Sequence, residues 1–148
     1  MRFLESAPYL RVRDMARSLR FYRDGLGFAV TRQLDDASGP FWARLDKDET
    51  ALMISNRPSR FLPHRHDENH TEHEGDEDEH FHDIGAAHDA ELNFVTFLYV
   101  EDVDAAYAEL KERGVETVDE PADTTLGLRW FLVRDPDGYY YTFAQRRA

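Results

Sequence analysis

LYVEDVDAAYAELKERG, Leu98–Gly114, decides the fold, because the chain has already written it once as LRVRDMARSLRFYRDGLG over Leu10–Gly27. Leu10, Val12 and Asp14 recur as Leu98, Val100 and Asp102, at a constant spacing of 88 residues. Apolar positions follow in register, Met15 with Val103, Leu19 with Tyr107 and Tyr22 with Leu110. Deleting one residue from the first copy then brings Gly27 opposite Gly114, and the spacing of 88 returns where Gly39 and Trp42 meet Gly127 and Trp130. A repeat of this length points to a duplicated structural unit.

Each copy encodes the same elements. Alternation at Leu10 and Val12, and at Leu98 and Val100, predicts half-buried strands. Asp14 and Asp102 stand where a side-chain carboxylate can accept from the free amides of a helix start. Met15, Leu19, Tyr22 and Leu26 recur at helical spacing after the first, and Val103, Tyr107 and Leu110 after the second. Gly27 and Gly114 fall where a left-handed residue closes a helix. The predicted elements are a strand over Ala7–Arg13, a helix over Met15–Leu26, and strands over Phe28–Leu34, Phe41–Leu45 and Ala51–Ser55. The second copy predicts Leu92–Val100, the helix Val103–Arg113, and strands Val115–Val118, Arg129–Val133 and Tyr139–Ala144, the last pair joined by the turn Asp135-Pro136-Asp137-Gly138. The fold class is therefore α+β: two βαβββ modules forming a cupped mixed sheet with helices on its outer face. The first module covers residues 1–55, an insert covers 56–91, and the second module covers 92–148.

Composition narrows the functional classes. With 148 residues and 41% hydrophobic content, the chain can bury roughly 68–70% of its unfolded surface. No apolar run approaches the ~20 residues of a membrane-spanning helix, and no signal peptide follows Met1, so the expected location is cytoplasmic and no membrane partner is expected. The absence of cysteine removes disulfides, thiolate nucleophiles and cysteine metal sites. The net charge is −12, but residues 64–89 hold ten Asp or Glu against one Arg, so nine of those net charges sit in one segment. An acidic chain does not present the basic face that nucleic acids require.

That segment also holds every histidine. Low apolar content and high charge make it a flexible linker between modules. Its spacing (His64 and His66, His70 and His73, His80 and His82) also brings imidazoles close enough to share zinc, nickel or copper.

The two modules, together with Val12-Arg13-Asp14, Ser18-Leu19-Arg20-Phe21-Tyr22, Leu26-Gly27-Phe28 and Arg134-Asp135-Pro136-Asp137-Gly138, resemble the vicinal oxygen chelate superfamily of glyoxalase I, extradiol dioxygenases and bleomycin-resistance proteins. In its metal-using branches, four side chains of the cup hold one divalent ion. The resemblance carries those seats to Ala7, to Met53 or Ile54, to Val95 and to Thr142, none of which is a metal donor. No cofactor is expected in the cup. The pocket face is expected to carry Tyr9, Arg11, Trp42, Arg44, Ile54, Phe97, Tyr99, Trp130, Leu132 and Tyr140, either as cavity walls or as core filling. Arg11 or Arg44 would clamp a ligand carboxylate. Asp14 and Asp102 are assigned to helix caps, and Asp135 and Asp137 to the turn. No nucleophile is marked. The resemblance implies a homodimer of the bleomycin-resistance type that sequesters an aromatic or antibiotic-like small molecule unchanged. The alternative is a metal-dependent lyase or dioxygenase of the same superfamily, with ligands supplied partly by the insert.

The insert generates a test. Zinc titrated into the full chain should bind the histidines, and binding should weaken as pH falls through ~6.5, where imidazole protonates. Calorimetry at pH 7.5 and pH 5.5 checks this; binding indifferent to pH in that interval would move the donors to carboxylates.

Overall fold

The computed structural model describes residues 1–2, 4–57 and 95–147. The first module runs β1 (Tyr9–Arg11), α1 (Met15–Leu19) continuing as a π-helical turn over Arg20–Gly25, β2 (Ala29–Asp36), β3 (Gly39–Lys47) and β4 (Thr50–Ser55). The second runs β5 (Val95–Tyr99), α2 (Val103–Glu112), β6 (Ala122–Asp123), β7 (Leu128–Arg134) and β8 (Tyr140–Arg146). Their four-stranded sheets have orders β1-β4-β3-β2 and β5-β8-β7-β6. In each, the first strand pairs parallel with the last and the other neighbours are antiparallel. The repeat in the sequence is thus a repeat in topology. Except for Asn56 and Arg57, the insert expected over 56–91, with His64, His66, His70, His73, His80 and His82, lies outside the described residues, as do 92–94 of the strand expected from Leu92.

Local chemistry sets the element ends. Asp14 Oδ1 accepts from the Arg17 amide at 3.0 Å, and Asp102 Oδ1 from the Ala105 amide at 2.9 Å, each satisfying an amide the helix start leaves unpaired. Gly27 and Gly114 take φ of 78° and 74°, the left-handed conformation that costs a side chain with Cβ about 1–2 kcal/mol. Between cap and glycine the first module has one residue more than the second. The structure absorbs it in the π-helical turn, where the Leu26 amide donates five residues back to the Phe21 carbonyl at 2.9 Å. A π-turn is a one-residue insertion into an α-helix. The single helix expected over Met15–Leu26 is therefore α-helical only to Leu19.

The strand expected at Val115–Val118 does not form. That segment makes one isolated bridge, Thr117 to Val133, and its pairing ends where Asp119 Oδ1 takes the Leu132 amide at 2.6 Å. The edge strand is instead Ala122–Asp123, just beyond Pro121, which has no amide to give to the ladder.

The helices cover one face of each sheet, and the two covered faces share a single core. Leu10, Val12, Leu45 and Ile54 from the first module meet Val103, Phe131, Val133 and Phe143 from the second. Tyr22, fully buried, sits edge-on to Phe28 and Tyr141. The modules approach so closely at Gly25 that a Cβ there would lie 2.8 Å from Val115 Cγ2.

The β7–β8 turn clasps the first module. Asp135 Oδ1 accepts the amides of Asp137 and Tyr139 at 2.9 and 2.8 Å, which shapes the turn. Its Oδ2 accepts the Tyr22 hydroxyl at 2.6 Å, and that hydroxyl accepts in turn from Tyr141 at 2.9 Å. Asp137 takes the Arg13 amide at 2.9 Å and the Ser18 hydroxyl at 3.3 Å. Tyr139 donates to the Arg11 carbonyl at 3.0 Å. Asp135 and Asp137 form the turn as expected, and they also join the modules, a role for which the repeat gave no indication.

Burial pushes the Asp135 carboxyl above its ordinary range, against the lowering effect of the Tyr22 hydrogen bond, and burial likewise raises the Tyr22 and Tyr141 hydroxyls. Tyr22→Phe should cost about 2 kcal/mol in urea unfolding, because it strips a donor from a buried carboxylate. A carboxyl whose folded pKa is raised binds its proton more readily in the folded chain, so its contribution is full at acid pH and is lost as pH climbs from the unfolded value of ~3.9 through the folded one. Wild-type stability relative to Asp135→Asn, which never ionises, should therefore fall as pH rises through that window. A difference that grows with pH would contradict the assignment.

Candidate functional site

Cross-strand register divides each sheet into two faces. In the first, Leu10, Ile54 and Ala43 lie side by side on the helix-covered face, all nearly or fully buried. Ile54 therefore belongs to the core and not to the pocket face expected of it, since side chains alternate along a strand. On the opposite face, Tyr9, Met53 and Arg44 form one row and Arg11, Ser55 and Trp42 the next. In the second sheet, Thr96, Tyr141 and Val133 and then Leu98, Phe143 and Phe131 face the helix. Val95, Tyr140 and Arg134, then Phe97, Thr142 and Leu132, then Tyr99, Ala144 and Trp130 lie on the open face.

That open face carries an aromatic cluster. Phe97 and Trp130 stand edge to face with centroids 5.9 Å apart, and Phe97 and Tyr99 lie 6.2 Å apart. Arg146 covers the Tyr99 ring at 4.7 Å and Arg134 the Tyr140 ring at 5.5 Å, both within cation–π reach. Phe97 and Tyr99 are nevertheless 43% and 54% exposed. Large aromatics massed at a water-facing sheet mark a surface that something covers. Phe97 also borders a cavity of about 250 Å³ with Pro8, Ala51, Leu52 and Leu98, where the segment before β1 and the start of β4 come up against β5.

The first sheet's residues have different surroundings. Trp42 is 8% exposed, and its indole N–H has no hydrogen-bond partner among the described residues. The Tyr9 hydroxyl donates to the Arg57 carbonyl at 3.1 Å. Arg44 is held by Asp46 at 2.8 Å and by Glu5; these hydrogen bonds raise its pKa, and the bonds from Arg44 and Thr31 hold the Asp46 carboxyl below its ordinary value. Its guanidinium is already neutralised, so a ligand carboxylate would have to displace two partners. Phe97, Tyr99 and Trp130 are in ring contact, whereas Tyr9 and Trp42 make none with that cluster among the described residues. What sequence reasoning missed is the Tyr22–Asp135–Tyr141 network, whose one outward sign was the polar hydroxyl of Tyr22 at a helical core position matched by Leu110 in the other copy.

A family model described as the Glyoxalase/Bleomycin resistance protein/Dioxygenase superfamily matches residues 4–143. The chain belongs to this superfamily. Among solved structures, UcmS2 superposes with a TM-score of 0.69 at 22% identity, covering 97% of this chain and 98% of that one. TnmS3, an antibiotic binding protein from Streptomyces sp. CB03234, gives 0.63 at 22% identity, covering 99% and 98%. TioX from Micromonospora sp. ML1 gives 0.64 at 19% identity, covering 98% of each chain. At these identities the likeness is one of fold.

The metal seats that the resemblance implies can be compared with the strand register. Tyr9 and Phe97 are equivalent in the repeat; Tyr9 pairs with Met53 and Phe97 with Thr142. Met53, not Ile54, is thus the first-module counterpart of Thr142. Ala7, Met53, Val95 and Thr142 offer a methyl, a thioether, an isopropyl group and a neutral hydroxyl, a set that does not fit a divalent ion needing imidazole or carboxylate donors. Among the described residues, no group of three or more His, Asp or Glu side chains converges, and no helix is long and apolar enough to cross a membrane.

Proposed function

We propose that this protein binds and sequesters an aromatic, antibiotic-like small molecule in its cup, with no metal there and no chemical change to the ligand. The observation that carries the reading is the exchange of donors for apolar side chains. The four metal seats hold Ala7, Met53, Val95 and Thr142, while Tyr9, Trp42, Phe97, Tyr99, Trp130 and Tyr140 occupy the same sheet faces. A wall of rings supplies dispersion and stacking to a planar ligand, about 0.5–1.5 kcal/mol per pair beyond area burial. The Trp42 N–H and the Arg146 guanidinium supply polar contacts that orient it. The antibiotic-binding character of TnmS3 supports the reading by analogy.

Two copies form the working unit in this proposal. The water-exposed Phe97 and Tyr99 of one chain would be covered by the first sheet of the other, completing two equivalent pockets. Arg11 would face the ligand there, and Arg44 would clamp a carboxylate only by giving up Asp46 or Glu5.

A fluorescence titration tests the proposal through Trp42 and Trp130. Doxorubicin, as a polycyclic probe, should quench the tryptophans saturably, with or without EDTA, and be recovered unchanged. Trp130→Ala should weaken binding ten- to a hundredfold, about 1.4–2.8 kcal/mol, while leaving the unfolding midpoint within a few degrees. Loss of binding on chelation, or conversion of the probe, would turn the reading to a metal enzyme. Sedimentation showing only monomers at micromolar concentration would remove the shared pockets.

A further inference from the structure

A cavity larger than the one beside Phe97 opens where the β7–β8 turn clasps the first module. It is a groove of about 810 Å³ between the first helix and the second module, walled by Arg17, Arg20 and Phe21, by the 113–118 segment, and by the turn from Arg134 to Gly138. Five of the chain's 18 cationic residues line it: Arg13, Arg17, Arg20, Arg113 and Arg134. Four carboxylates also line the groove, and three of them are engaged. Asp24 is held bidentate by Arg23 at 2.6 and 3.0 Å. Asp135 and Asp137 receive the hydroxyl and amide bonds of the clasp. Glu116 is the fourth.

The arginines are less committed. Arg113 pairs with Glu109 at 2.6 Å. Arg17, Arg20 and Arg134 form no ion pair with a carboxylate among the described residues, and all three are exposed, Arg134 lying over the Tyr140 ring at 5.5 Å. Arg17 and Arg20 are three apart where α1 passes into the π-turn, so their side chains rise from one face. Arg134 lines the same groove, beside Gly138. A guanidinium presents a planar fork of donors that matches a phosphate in bidentate fashion, and several forks lining one groove suit linked phosphates better than a lone charge. The π-turn supplies this wall, and such one-residue insertions are frequent at functional sites.

We infer that this groove is a second ligand site, distinct from the cup, which takes a small molecule bearing a diphosphate group. The inference does not depend on what the cup binds. Its size suits a nucleotide-sized molecule, with Phe21 on the same wall to meet an attached ring.

The test is calorimetry on the full chain at pH 8 and 50 mM salt, with inorganic pyrophosphate and ADP as probes. One site per chain is expected for each. Arg17→Ala/Arg20→Ala and, separately, Arg134→Ala should each weaken binding at least tenfold, whereas Arg32→Ala, an exposed arginine on β2, should change it less than twofold. ADP bound more tightly than pyrophosphate identifies a nucleotide; equal affinities identify the diphosphate alone. Absence of binding to both probes, or equal losses in Arg32→Ala and in the groove variants, would overturn the site. Doxorubicin titrated into Arg17→Ala/Arg20→Ala should bind as it does to wild type, which keeps this outcome separate from that of the cup.

Discussion

The hydrogen bond from Tyr22 to Asp135 is the constraint on which the two-module arrangement rests. A buried carboxylate is tolerable only when its oxygens are filled, and here two amides of its own turn and one hydroxyl of the other module fill them. Tyr141 completes the chain of donors from β8. The turn cannot shift without unpairing Asp135, and α1 cannot shift without unpairing Tyr22. Two motifs far apart in sequence, Ser18 to Tyr22 and Arg134 to Gly138, are thus the two halves of one contact, with Asp137 adding the Ser18 hydroxyl and the Arg13 amide.

That contact assigns opposite roles to the two faces of each sheet. The helix-covered faces share one core, so module–module packing is spent there. The other faces are left to carry Tyr9, Trp42, Phe97, Tyr99 and Trp130, with no structural duty comparable to that of Tyr22. Chemistry follows the same division. Ala7, Met53, Val95 and Thr142 stand at the seats the resemblance implies, and rings share the open sheet faces with them. Three arginines without a carboxylate partner among the described residues, Arg17, Arg20 and Arg134, line the groove between the helix and the turn that clasps it.

Much of this was legible in the sequence. The spacing of 88 announced the duplicated topology, the cap residues Asp14 and Asp102 behaved as their chemistry requires, and the one-residue offset before Gly27 was the visible trace of the π-turn. The alternation on β1, β3, β5 and β8 assigned Tyr9, Trp42, Phe97 and Tyr140 to the open faces. It failed at Ile54, because the family alignment left two adjacent residues for one seat and only strand register separates neighbours on a β-strand. It failed at Val115–Val118, where apolar alternation was overridden by Asp119 capturing an amide that a ladder partner would have taken. The clasp was illegible for a different reason: it joins residues 113 positions apart, and periodicity within a segment carries nothing about what a side chain meets across the core.

Native mass spectrometry tests the central claim most directly. The full chain, purified without metal-chelating resin and held in EDTA with doxorubicin, should appear as a dimer carrying two ligands of unaltered mass and no metal in the cup. A monomer, a ligand of changed mass, or a metal ion per chain that remains in a variant lacking residues 64–89 would contradict it.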